Sequence, residues 1–198
     1  MIEQRATDWI STFSGKPFWP LQPRVEDVRL EDIAHALSML CRFAGHTRKF
    51  YSVAQHSVIV SHAVQTMVAS ERGERGTWAE SVELALVGLL HDASEAYLCD
   101  ITRPVKRSPE LDGYRTVEHV VQHTVYRRFG LTGDEPAIVK AADTAVLRAE
   151  QRDLMVMPEG WRPKETAWPH RIVALLPGDA ERQFLARFGE LMAARVGA

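Results

Sequence analysis

Apolar positions recur at helical intervals along most of the chain, and no pair of alternating β-branched runs joined by a hairpin turn interrupts them. The pattern predicts an all-α protein. Ile33, Leu37, Leu40 and Cys41 are spaced for one buried face of a first helix over residues 30 to about 41, with Gly45 in the loop that follows. Ser52-Val53-Ala54-Gln55 has the Ser-x-x-Gln form of a capping box, which predicts a second helix from residue 52 to about 70. On it His56, Val60, Ala63 and Met67 share a face, and His62 points elsewhere. A polar, glycine-containing stretch over 71–76 leads to a second capping box, Thr77-Trp78-Ala79-Glu80, which opens a third helix. That helix is apolar nearly all round, which makes it the central one, and it carries His91 and Asp92 before ending ahead of Pro104. Ser108-Pro109 reads as an N-cap followed by proline at the first helical position, opening a fourth helix that runs to Phe129 with Gly130 as its C-cap. A fifth helix over 136 to about 155 buries Ile138, Val139, Ala142, Val146 and Ala149, a stripe that Asp143 interrupts at its edge. Residues 156–178 hold four prolines and two tryptophans and read as loop, after which Asp179 caps a last helix through Phe184, Leu185, Phe188 and Met192.

With 198 residues and no linker-like run, the chain is expected to form one domain over 1–198. A net charge of -2 gives no whole-molecule attraction for nucleic acid or acidic membranes, so neither a nucleic-acid polymer nor a membrane is an expected partner. Met1-Ile2-Glu3-Gln4-Arg5 lacks the basic and apolar regions of a signal peptide, and a cytoplasmic location is expected. Cys41 and Cys99 fit reduced, buried thiols better than a disulfide framework.

The chemistry concentrates where the apolar third helix delivers His91 and Asp92 inward, because an imidazole and a carboxylate are costly to bury unless something neutralises them. His56 alone reads as a core histidine bonded to a carbonyl. Together with His91, Asp92 and Asp143 it gives two nitrogen and two oxygen donors on three helices, a set for a divalent ion such as Co, Mn, Zn, Fe, Ni or Mg. Glu95, one helical turn on, is placed to act as general base or acid toward an attacking water. His119 and His123 are four apart, but no glutamate follows His119 and no acidic cluster closes around them in sequence, so a polar helix face is expected. His46 sits in a loop from which it reaches toward a phosphate, Arg103 and Arg107 read as solvated surface, and Trp161 and Trp168 read as cover for a core or a subunit contact.

The order His56, then His91-Asp92, then Asp143 resembles the signature of the HD-domain phosphohydrolase superfamily, and within it the small 5′-deoxynucleotidases and phage dATP triphosphohydrolases. The likeness covers residues 30 to 155 and is carried by Cys41-Arg42-Phe43-Ala44-Gly45-His46-Thr47, Tyr51-Ser52-Val53-Ala54-Gln55-His56-Ser57, His91-Asp92-Ala93-Ser94-Glu95-Ala96, Asp100-Ile101-Thr102-Arg103-Pro104-Val105-Lys106 and Lys140-Ala141-Ala142-Asp143. It implies a compact HD-domain helical bundle, metal ligation by His56, His91, Asp92 and Asp143, and Glu95 as the catalytic carboxylate. It further implies that Asp100 contacts the sugar or positions the water, that Arg42 binds phosphate, and that Lys106 adds positive charge near the entrance. Phe43 stands where those enzymes carry a tryptophan against the deoxyribose. The implied activity is removal of phosphate, or of a longer phosphate chain, from a nucleotide, by a protein that assembles as a homo-oligomer. An HD phosphodiesterase acting on a cyclic or signalling nucleotide, and a non-catalytic nucleotide-binding domain, are the competing readings.

Overall fold

A computed structural model describes residues 8–72, 78–162 and 166–197, and they form an all-α bundle with one minimal hairpin. The hairpin pairs β1 (Ile10–Ser11) antiparallel with β2 (Pro17–Phe18), and Gly15 takes the left-handed φ of 74° that its turn requires. The hydrophobic pattern does not reveal it, because two residues per strand are too few to show alternation. Its anchor is Phe18, fully buried and stacked on Tyr97 at 3.7 Å between centroids.

The bundle consists of α1 (Leu30–Met39), α2 (Val53–Arg72), α3 (Trp78–Leu90), the short α4 (Glu95–Leu98) and α5 (Arg103–Lys106), then α6 (Asp112–Arg128), α7 (Ala137–Leu154) and α8 (Pro177–Val196). The central unit is the pair α2 and α3, against which α7 and α8 pack, with α1 covering α2 and α8. Gly88 allows α3 its close approach to α2: a Cβ there would lie 3.0 Å from Val64 Cγ2 and 3.4 Å from the Ser61 backbone. One cluster of buried apolar side chains runs from Phe18 through all the long helices to Leu191. No described helix is long and apolar enough to cross a membrane.

Several local expectations are corrected. Ser52 Oγ accepts from the Gln55 amide as a capping box requires, but the Gln55 side chain does not reach back; it donates to Val173 O at 2.7 Å and accepts from Leu175 N at 2.9 Å. Thr77, the cap expected for α3, lies outside the described residues. The third helix ends at Leu90, so His91 and Asp92 occupy a turn rather than the helix itself. Ser108 makes no side-chain cap, and Pro109–Leu111 forms a separate 3-10 turn before α6. Proline at the start of α8, not Asp179, marks that helix's beginning, and Leu185 is 36% exposed. Cys99 is an exposed free thiol and Cys41 a half-buried one. Trp168 is buried in the core cluster, so it covers the core.

Candidate metal centre

Two imidazoles are held with the same nitrogen facing inward. His91, in the turn closing α3, has Nδ1 2.8 Å from Gly88 O; a carbonyl only accepts, so Nδ1 carries the proton and the Nε2 lone pair faces away. His56, in the first turn of α2 and fully buried, has Nδ1 2.6 Å from Glu150 Oε1, and donating to that carboxylate leaves its Nε2 lone pair free. The two Nε2 atoms face each other at 3.3 Å. Asp92 Oδ2 lies 3.2 Å from His91 Nε2 and 3.6 Å from His56 Nε2, and all three donor atoms fall within 4.8 Å of one another. Asp143, on α7, flanks the trio with Oδ1 at 3.3 Å from His56 Nε2. A tetrahedral ion with bonds of about 2.05 Å has ligand-to-ligand edges of about 3.3 Å, which these separations match. Two facing lone pairs beside carboxylates repel each other unless a cation joins them, so the donor set fits a divalent ion.

The electrostatics agree. Burial disfavours a charged His91, yet Asp92 outweighs it and holds the imidazole up to about 10. His56 is likewise raised against burial and the Arg42 charge, by Glu150 and Asp143. Asp92 and Asp143 are held well below the usual carboxylate range against burial, by His91 and by His56 respectively. The pocket thus favours a proton or a metal in the space its carboxylates surround.

Glu150 is the residue that sequence reasoning missed. It is fully buried on α7 and, besides His56, it takes Arg42 Nη2 at 3.2 Å, while Arg42 Nη1 reaches Asp92 Oδ2 at 3.4 Å. Burial pushes its carboxyl up, but Arg42 and His56 overcome that and hold it below the ordinary value. Arg42 therefore stands inside the centre, paired to two carboxylates. The turn that presents it, Arg42–Gly45, holds Phe43 and Ala44 at φ of 55° and 49°, a left-handed conformation that non-glycine residues adopt at a cost. The Arg42 guanidinium lies 5.3 Å from the centre of the Phe43 ring.

A groove of about 500 Å³ opens onto the centre, lined by Arg42, Phe43, Asp92, Glu95, Asp100 and Asp143 among others. Arg103, Lys106, Arg107 and Arg148 add positive charge to its wall. Arg103 is not merely solvated surface, since its Nη2 lies 3.3 Å from Asp143 Oδ2. Glu95 opens α4, with Oε1 3.6 Å from Lys106 Nζ and Oε2 buried without a hydrogen-bond partner. Burial, then Asp92 and Asp100, push its carboxyl well above the ordinary value. Lys106 is itself tied to Glu118 Oε1 of α6 at 2.5 Å. Asp100 is half-buried on the groove wall and raised by burial. His46 is exposed at the end of the Arg42 turn and is not among the residues lining the groove.

No family model matches the sequence. The chain is 36% identical over 187 residues to the uncharacterized protein YfdR of Escherichia coli (strain K12), an alignment covering 92% of this chain and 95% of that protein. It is 34% identical over 152 residues to the uncharacterized protein RCAP_rcc00048 of Rhodobacter capsulatus, covering 74% of this chain and 72% of that protein. With identity of this level sustained over nearly the full length of both chains, the protein belongs to the family of YfdR.

Proposed function

We propose that this protein is a metal-dependent phosphohydrolase of the HD-domain type acting on a nucleotide, of the 5′-deoxynucleotidase or deoxynucleoside triphosphate hydrolase kind. The observation that carries the reading is the convergence of His56 Nε2, His91 Nε2 and Asp92 Oδ2, with Asp143 as the fourth donor, at the floor of a groove with cationic walls. When bound, a divalent ion supplies Lewis-acid polarisation of the phosphoryl group and lowers the pKa of water in the groove.

The chain's own residues account for the rest. Glu150 and the Gly88 carbonyl fix the two rings so that little reorganisation accompanies ion binding. Arg42, paired to Asp92 and Glu150, lines the groove and adds fixed positive charge facing a phosphoryl group, and Arg103 and Lys106 add charge along the path of a phosphate chain. Glu95 Oε2, buried and unpaired, accepts the proton of the attacking water as the new oxygen-phosphorus bond forms. The same carboxyl then returns that proton to the leaving oxygen as the old bond breaks; burial, then Asp92 and Asp100, raise it above its ordinary value and so favour its holding that proton.

The test is metal content and phosphate release on the chelated and then reloaded protein. Orthophosphate from deoxynucleoside monophosphates, or tripolyphosphate from triphosphates, is expected with at least one of Mn, Co, Zn, Ni, Fe or Mg. A protein that takes up metal at this centre and releases phosphate from no nucleotide overturns the reading.

A further inference from the structure

A second cluster of donors lies outside the centre just described. His119 and His123 are one turn apart on α6, and their rings sit 4.1 Å apart between centroids. The loop after α6 turns back sharply. Gly130 takes a φ of 70°, Leu131 N bonds to Tyr126 O at 2.8 Å, and the Leu131 side chain is fully buried as an anchor. This return brings Asp134 over the helix it has just left. Its Oδ1 lies 3.4 Å from His119 Nε2 and 3.2 Å from His123 Nε2. The two imidazoles were expected to form only a polar face because their third partner follows eleven residues after His123, across a turn that the sequence pattern does not fold back.

Both nitrogens converge on one oxygen at about the 3.3 Å edge of a tetrahedral site. Two imidazoles and one carboxylate suit borderline ions such as Zn, Ni, Co or Cu, and poorly suit Mg or Ca, which prefer all-oxygen shells. With His119 65% and Asp134 86% exposed, a bound ion would keep its remaining positions open to solvent. The cluster is also not isolated. A cavity of about 740 Å³ has His119, His123 and Asp134 along one part of its wall and His91, Asp92 and Asp143 along another. Glu135, next to Asp134, lines the same cavity.

We propose that His119, His123 and Asp134 form a second divalent transition-metal site in the wall of that cavity, distinct from the centre around His56 and His91. An ion there ties the loop carrying Asp134 and Glu135 to α6 and adds positive charge to the cavity that both clusters share. The competing account is an imidazolium-carboxylate ion pair with no affinity for metal.

The experiment is Zn²⁺ titration by calorimetry on the tag-free full chain, with excess Mg²⁺ present, paired with the visible spectrum of the Co²⁺ form. The wild type is expected to bind two equivalents. The double variant His119→Ala/His123→Ala, altered at surface positions that leave the core intact, is expected to bind one, and His123→Ala alone to weaken the second equivalent by about a hundredfold. Asp92→Ala, which removes the first centre, is expected to retain the second site and its tetrahedral Co²⁺ band, and to lose both when His123→Ala is added. Equal stoichiometry in wild type and the double histidine variant overturns the second site. Absence of phosphate release leaves this result untouched, because the titration reads metal alone.

Discussion

At the scale of single residues, the proposed function divides side chains that would hold an ion from side chains that would act beside it. Asp92→Ala is expected to lose the first metal equivalent outright, whereas Glu95→Ala keeps it and loses about 10²- to 10⁴-fold in turnover, a split read by metal content and steady-state rates on the same preparations. Glu150→Ala is expected to cost about 3–5 kcal/mol in denaturant unfolding, because it leaves Arg42 and His56 without their fully buried partner. Glu150→Gln, which keeps the shape and loses the charge, should be milder. That His56, His91 and Asp92 come together, with Asp143 beside them, was legible only from the set, because His56 taken alone reads as a core histidine and a lone His-Asp pair says little. Glu150 was not legible because a glutamate in a charged helix reads as solvent-facing. The available signal was its place seven residues after Asp143 and one after Ala149, on the buried side of α7. Asp134 was hidden for a different reason, since its neighbours in space depend on a loop return.

At the scale of elements, the helices were legible from periodicity and their ends were not. The apolar run of α3 gives way at Leu90 to His91-Asp92, a polar pair that a helix can also carry, so periodicity alone does not mark Leu90 as the end; the chain turns where His91 Nδ1 bonds the Gly88 carbonyl. Gly88 thus serves both the α2–α3 approach and the ring of His91. Gly88→Val is expected to destabilise the protein by about 1–3 kcal/mol through overpacking against Val64 and Ser61, and to weaken metal binding in the same titration. The segment before α8 is attached differently, by Asp153 at the end of α7. Its Oδ2 accepts from Ile172 N at 2.8 Å and from Arg152 Nη2 at 2.7 Å, and the Arg152 bond holds its carboxyl below the ordinary value of 3.8. A depressed carboxyl stabilises the fold in full above its unfolded-state value and loses that contribution as pH falls through the folded one. Asp153→Asn is therefore expected to be less stable than wild type near neutrality, by about 1 kcal/mol, with the gap closing below about pH 4 in urea unfolding across a pH series.

At the scale of the whole molecule, the all-α class followed from the dominance of one periodicity, while some ties between distant segments did not, because single polar side chains make them. Gln55 is the clearest case. It lies next to His56 in the first turn of α2, and its amide group holds the chain at Val173 and Leu175 from 118 and 120 residues away. The stretch leading into α8 is therefore fastened to the same helical turn that carries an imidazole of the candidate metal centre. Loading the centre should slow deuterium uptake at the Leu175 amide relative to the chelated protein, whereas amides of the exposed Thr12–Lys16 hairpin turn exchange alike in both. In Gln55→Ala that protection should vanish while uptake along the rest of α2 is unchanged. The occupancy of a buried ion would then be readable as an isotope signal from the far end of the chain.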